Sequence, residues 1–185
     1  MNLYEIKEKV IESKKAVFST IQLSKLISKS TAITNVYISR LVKKKLAKRI
    51  HGKVIFTYDD NVIATQFMEP AYVSLSSALF FHQVINQVPT TTLCVTTVHN
   101  RYYKDMQLKY QEITPKLFFG FKKYSLDNSY AYIADPEKAI LDGIYYKIYT
   151  KEIIKKYKPK LNWILVKKYS KSYPERVKKV IKDVD

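Results

Sequence analysis

Apolar side chains at Leu3, Ile6 and Val10, separated by Glu5, Lys7, Glu8, Lys9 and Glu12, recur at helical spacing and predict a helix with one buried stripe over residues 3–13. Ala16, Val17 and Phe18 make a short extended piece. Ser19 followed by Gln22 reads as a capping box, each side chain bonding the backbone N–H of the other. The helix it starts carries Ile21, Leu23, Leu26 and Ile27 and ends near Ser28. Ser30 or Thr31 then opens a longer helix running to about Leu46. With successive residues about 100° apart, its core face is Ile38, Leu41, Val42 and Leu46. Val36, Arg40, Lys43 and Lys44 lie on the opposite arc, flanked by Ile33 and Tyr37. Two β-rich pieces, residues 48–51 and 54–58, stand on either side of Gly52-Lys53 and predict a hairpin. Helix, short strand, helix, turn, longer basic helix, hairpin is the order of a winged helix-turn-helix.

Residues 59–70 form a candidate boundary, although Val62, Ile63 and Phe67 suit packing. The expected organisation is a winged helix-turn-helix over residues 1–65 and an α+β domain over residues 66–185, with a small, mostly antiparallel sheet and C-terminal helices. In the second domain Ser74 caps a helix to about Val84, with Leu75, Ala78, Leu79 and Ile85 on one side. Strands are expected over residues 91–98, 107–113, 118–124 and 130–134, broken by Gly120 and by Asp127-Asn128. Asp135-Pro136-Glu137 is a helix start, with Asp at the cap, Pro in the first turn and Glu near the positive end of the dipole. Ile140, Leu141, Ile144, Tyr145 and Ile148 form its stripe, and the remainder is helical and lysine-rich, marked by Trp163 and Pro174. The fold class is α+β.

Charge changes this picture more than composition does. The chain carries 33 basic and 16 acidic residues, a formal charge of +17. Residues 1–60 hold 13 basic against 5 acidic, a net +8; residues 61–136 hold 6 against 5; residues 137–185 hold 14 against 6, again +8. A clustered excess favours contact with a polyanion, and its uneven distribution separates it from a uniform lysine enrichment of solvated faces. The longest uncharged apolar run, residues 71–81, is too short to span a membrane. The first residues lack the basic, apolar and small-residue succession of a secretory signal. The single Cys94 fits a reducing compartment, so a cytoplasmic location with no membrane association is expected.

No catalytic constellation emerges, and neither metal nor cofactor is expected. His51, His82, His99 and Cys94 lack zinc-ligand spacing, and Gly52, Gly120 and Gly143 are too scattered to cradle phosphates. His82 reads as a core histidine and Cys94 as a small core residue. The nearest approach to a magnesium nuclease is Asp127 or Asp135 with Glu137 and Lys138. Adjacent helical residues diverge by about 100°, so these do not converge on one ion.

Several segments together resemble the AbiEi family: the N-terminal winged helix, Ser74-Leu75-Ser76-Ser77-Ala78-Leu79-Phe80-Phe81-His82, the Gln87-Val88-Pro89-Thr90-Thr91 turn into a strand, and Ala134-Asp135-Pro136-Glu137-Lys138-Ala139-Ile140-Leu141-Asp142. The resemblance spans about residues 15–150. It implies a transcriptional repressor that binds inverted repeats in its own promoter and acts as antitoxin of a type IV toxin–antitoxin pair in viral defence. The second domain would then counter a toxin of the nucleotidyltransferase class. This chain departs from the pattern at Lys45, where glycine often precedes the wing, and at Ile33 and Val36, where groove-side residues are commonly polar.

On this reading the long helix enters the major groove of double-stranded DNA with its N-terminal half near base edges, and the protein binds as a homodimer. Asn35 reads adenine or makes a local turn bond, and Arg40 pairs with guanine in preference to serving as a solvated surface residue. Ser30 and Thr31 serve a phosphate at the helix start, and Lys43, Lys44, Arg49 and Lys53 suit phosphates as well. Tyr37 either touches the groove or packs on the hairpin, and His51 either tips the wing into the minor groove or is a plain turn residue. The alternative is a nucleic-acid- or protein-interaction module of a mobile element without repressor activity, using the basic C-terminus, where Tyr157, Trp163, Tyr169 and Tyr173 interleave with lysines. Trp163 also suits helical core packing.

Overall fold

Asn2 accepts the backbone N–H groups of Tyr4 and Glu5, while Glu5 reaches back to the Asn2 backbone, and this capping box starts α1, Leu3–Glu12. The computed structural model describes all of residues 1–185 and is α+β. The chain divides into two compact units, Met1–Glu69 with Tyr124–Ala131, and Pro70–Lys123 with Tyr132–Asp185.

In the first unit β1 (Val17–Ser19) leads into α2 (Thr20–Ile27) through the expected box, with Ser19 accepting from Gln22 at 3.1 Å and Gln22 from Ser19 at 2.8 Å. α3 (Thr31–Lys43) follows a three-residue turn, then β2 (Lys48–Ile50) and β3 (Lys53–Ile55). The three strands form an antiparallel sheet in the order β1-β3-β2, with Val54 opposite both Phe18 and Arg49. Between β2 and β3, His51 and Gly52 both have positive φ, 46° and 76°, the geometry of a two-residue turn that follows the strand twist. Ile6, Val10, Phe18, Leu23, Ile27, Ile38, Leu41, Ala47 and Val54 form the core of this unit.

Two details of α3 differ from expectation. Val42 is 38% exposed, and Thr34 takes its place against the core, fully buried. The inward stripe is therefore Thr34, Ile38 and Leu41, spaced by four and three residues, and Val42 lies a further 100° round. Thr34 tolerates burial because its hydroxyl donates to the Ser30 carbonyl at 2.8 Å. The helix also stops at Lys43 rather than near Leu46. Lys45 adopts φ 57°, its N–H donates to Val42 at 3.0 Å, and the Leu46 N–H donates to Leu41 at 2.9 Å. This is a Schellman ending with lysine at the left-handed position.

α4 (Asp60–Phe67) occupies the segment read as a boundary. Asp59 caps it through the N–H groups of Asn61 and Val62. Its buried Gln66 accepts from the backbone of Ala16 (2.8 Å) and Val17 (3.2 Å) and donates to the Ser129 hydroxyl and the Tyr130 carbonyl, each at 2.9 Å. Through these bonds residues 124–131 belong to the first unit despite their distance in sequence.

The second sheet has six strands, not a small number, and is mixed. It contains β4 (Ala71–Val73), β5 (Thr92–Thr96), β6 (Arg101–Tyr103), β7 (Leu108–Glu112), β8 (Phe121–Leu126) and β9 (Ser129–Ala134), in the order β6-β7-β5-β4-β9-β8. β5 runs parallel to β7 and β4 parallel to β9, so the mostly antiparallel expectation is corrected. Neither parallel pair is joined by a tight turn: β6 intervenes between β5 and β7, and α5 (Leu75–Phe81) with strands β5 to β8 lies between β4 and β9. Strands β4 and β6 have three residues each, too few for an alternation to register. α6 (Pro136–Tyr145), α7 (Lys151–Tyr157), α8 (Trp163–Ser170) and α9 (Glu175–Val184) complete the chain. No helix is long and apolar enough to cross a membrane.

Candidate nucleic-acid interface

α3 turns its outer arc to solvent along its whole length. Thr31, Ala32, Ile33, Asn35, Val36, Ser39, Arg40, Lys43 and Lys44 are all exposed, as are Arg49 and His51 on the neighbouring hairpin. Ile33, Val36 and Arg40 follow one another at spacings of three and four residues and so share one stripe, which Lys43 and Lys44 continue. The helix starts on Ser30, whose hydroxyl accepts the Ile33 N–H at 3.3 Å. The hydroxyl oxygen serves as the cap and its O–H remains a donor, so at this end it joins the backbone N–H groups of the first turn in attracting an anion.

Electrostatics distinguish this surface from an ordinary solvated face. Between Glu12 and Asp59 the chain has no acidic residue, while Arg40, Arg49 and nine lysines fall in the same stretch. That stretch supplies all of α2, α3, β2 and β3, so none of these elements carries a carboxylate. Salt bridges hold few of these cations: Lys15 pairs with Glu69, and the exposed cations of α3 have no ion-pair partner. Lys48 lies 4.3 Å from the centre of the Tyr58 ring.

The individual residues differ in availability. Asn35 is exposed, and its carbonyl rather than its side chain takes part in a local bond, accepting from Ser39 at 3.0 Å. Tyr37 is half-buried, packs on the core of the first unit, and donates its hydroxyl to the Met1 carbonyl at 3.1 Å. Its hydroxyl is thereby tied to Met1, which precedes α1. Lys53 is half-buried at the start of β3, whereas His51, on the turn, makes an edge contact with Phe67 at 6.4 Å. Sequence reasoning named Ile33 and Val36 as outward-facing without assigning them a role, and it passed over Ala32. The missing signal was the carboxylate-free stretch, which marks a whole surface rather than single residues.

The second unit holds a buried polar cluster. Lys138 and Asp142, both 0% exposed, sit one turn apart on α6. The Lys138 ammonium donates to Asp142 Oδ1 (2.7 Å), the Leu117 carbonyl (2.7 Å) and the Tyr173 hydroxyl (2.5 Å), and Tyr173 donates to Asp142 Oδ1 at 2.7 Å. Asp142 Oδ2 accepts from Tyr72 (3.0 Å) and Ser74 (2.8 Å). The Ser74 hydroxyl therefore does not cap α5 as expected. Burial lowers the affinity of Lys138 for its proton, an effect that Asp142 partly opposes. Lys138, Asp142, Tyr72 and Ser74 are fully buried and Tyr173 nearly so, and their bonds tie α6 to β4 and to the turn before α9.

The carboxylates weighed as nuclease ligands are each engaged elsewhere. Asp127 accepts from Thr57 at 2.5 Å, and Glu137 accepts the Asn162 N–H at 2.7 Å. Asp135 stands at the start of α6 without capping it; its carboxylate accepts from Tyr169 at 3.0 Å and pairs with Lys122 at 3.2 Å. No group of three or more His, Cys, Asp or Glu is arranged to hold a metal ion. Cys94 is buried, and the His82 ring nitrogen lies 2.9 Å from the Ala134 carbonyl. Trp163 is half-buried, donating to Asp185 at 2.8 Å beneath the Lys158 ammonium. No protein-family model matches this chain, and no curated protein matches it significantly.

Proposed function

We propose that this chain is a sequence-specific DNA-binding repressor, built on an N-terminal winged helix-turn-helix, that serves as the antitoxin of a type IV toxin–antitoxin pair. The observation that carries the DNA-binding reading is the exposed stripe of α3 running into Lys43 and Lys44 within a segment devoid of acidic side chains. A surface of this kind meets no repulsion from phosphates, and α3 supplies side chains of base-reading length beside a β-hairpin. Arg40 reads guanine, Asn35 reads adenine, and Lys43, Lys44, Arg49 and Lys53 neutralise phosphates. The antitoxin role, the inverted-repeat operator and the nucleotidyltransferase-class toxin rest on the resemblance to the AbiEi family. A homodimer matches the two-fold symmetry of such an operator.

The test is a titration of the full chain against labelled duplex DNA from upstream of its own gene. Saturable binding that prefers this DNA over a scrambled duplex and survives moderate salt supports the repressor. Arg40→Ala then costs about 1–3 kcal/mol and relaxes preference at one position, and Lys44→Ala weakens all duplexes alike and lowers the salt slope by about one. Uniform, salt-labile binding supports instead the reading as an interaction module without repressor activity.

A further inference from the structure

Two side chains at the centre of the proposed groove-facing surface are hydrocarbon. Ile33 is 47% exposed and Val36 51% exposed, and the neighbouring Ala32 is exposed as well. All three lie in the first half of α3, the half that faces base edges when such a helix enters the major groove. Arg40 stands one turn beyond Val36 on the same stripe.

The patch is too small for a protein interface. Specific protein contacts bury about 800 Å² on each partner, with roughly 20–30 residues a side. Here three apolar side chains are bounded by Asn35, Ser39, Arg40 and Lys43, with no carboxylate on α2, α3 or the hairpin. The occupant must therefore offer small apolar groups within a strongly anionic surface. In the major groove of DNA the thymine 5-methyl group is that feature, and contact with an aliphatic side chain is how it is recognised. Ile33 and Val36 are separated by about 4.5 Å along the helix axis, a little more than one base-pair step, so the two can meet methyl groups on adjacent or next-adjacent pairs.

We infer that Ile33 and Val36 are specificity-determining residues that read thymine methyl groups, so that the half-site is centred on A·T pairs with guanine only where Arg40 reaches. The inference rests on the DNA-binding reading above.

The experiment uses the full chain and short duplexes recovered by selection from a randomised pool. Each thymine of the recovered sequence is replaced in turn by deoxyuridine, which removes only the methyl group. The expected result is a loss of about fourfold in affinity at one or two thymines per half-site. In a chain carrying Ile33→Ser and Val36→Ser the same replacement has no effect. Both substitutions are at exposed positions, and circular dichroism verifies that the variant folds. Equal binding of thymine and deoxyuridine duplexes, or selection of sequences lacking A·T pairs, overturns the methyl readout and leaves the DNA-binding reading standing. Failure to bind any duplex at low salt overturns both. Loss of self-association in the serine variant, with the deoxyuridine effect unchanged, assigns the patch to a second copy of the chain and overturns the inference.

Discussion

Lys138 and Asp142 form an ion pair at 2.7 Å in which neither side chain reaches solvent, and each also bonds Tyr173. Such a pair is costly to desolvate and more costly to break, because a lone buried charge has no water to turn to. Asp142→Ala is expected to lose about 3–5 kcal/mol of unfolding free energy, measured by chemical denaturation. Replacing Lys138 by Met and Asp142 by Leu together is expected to recover most of that loss. A double variant as unstable as the single one would show that the surrounding bonds, not the unpaired charge, set the cost.

The same cluster makes stability depend on alkaline pH. Burial, then Asp142, raises the pKa of Tyr72 and Tyr173 above the usual 10.0, and burial does the same for Tyr146. A hydroxyl that keeps its proton in the folded chain and loses it on unfolding contributes stability that is complete below pH 10 and is lost above it. Lys138 works in the opposite sense, since its lowered pKa makes the folded chain gain stability as pH rises toward 10.5. Burial raises Tyr149, Tyr169 and the Cys94 thiol in the same way, so with six such groups against one lysine, unfolding free energy falls above pH 10. Tyr173→Phe flattens that fall, which denaturant titrations between pH 9 and 11 measure; an unchanged slope would remove Tyr173 from the account.

Gln66 uses both ends of its amide, holding the backbone at Ala16 and Val17 on one side and Ser129 and Tyr130 on the other. Gln66→Leu keeps the volume and orphans those partners. The expected cost is at least about 1–3 kcal/mol, together with faster amide exchange at residues 124–131. Exchange accelerating uniformly across the chain would speak against a local role.

Lys45 holds a left-handed backbone conformation at φ 57° that glycine adopts without penalty. Lys45→Gly is expected to raise stability by about 1 kcal/mol in thermal unfolding. Lys44→Gly, at φ −86°, is the control and brings no gain. Equal effects at the two positions would defeat the argument.

Much of the first unit was legible because its signals are local. The Ser19–Gln22 box, the hairpin at Gly52 (its turn one residue earlier than the expected Gly52-Lys53, since Lys53 pairs with Ile50) and the apolar spacing of α1 and α2 each depend on residues within one or two turns of each other. The outward face of α3 was legible for the same reason, apart from the exchange of Val42 for Thr34, where one hydroxyl bond to Ser30 made a polar residue admissible inside. The polar residues of the second unit misled for the opposite reason. Ser74 and Asp135 stand where caps stand, but their oxygens are used by Asp142, Tyr169 and Lys122, partners whose nearness no local pattern encodes.

What the chain's order of residues determined alone is its periodicities, its caps and the placement of charge, since these are properties of neighbours and of counting. Only tertiary structure decided that β5 and β7 run parallel, that residues 124–131 join the first unit through Gln66, and that Lys138 is buried at all. Each of those depends on contacts between distant segments, and a lysine's place in the core is settled by the carboxylate, carbonyl and hydroxyl that fold around it.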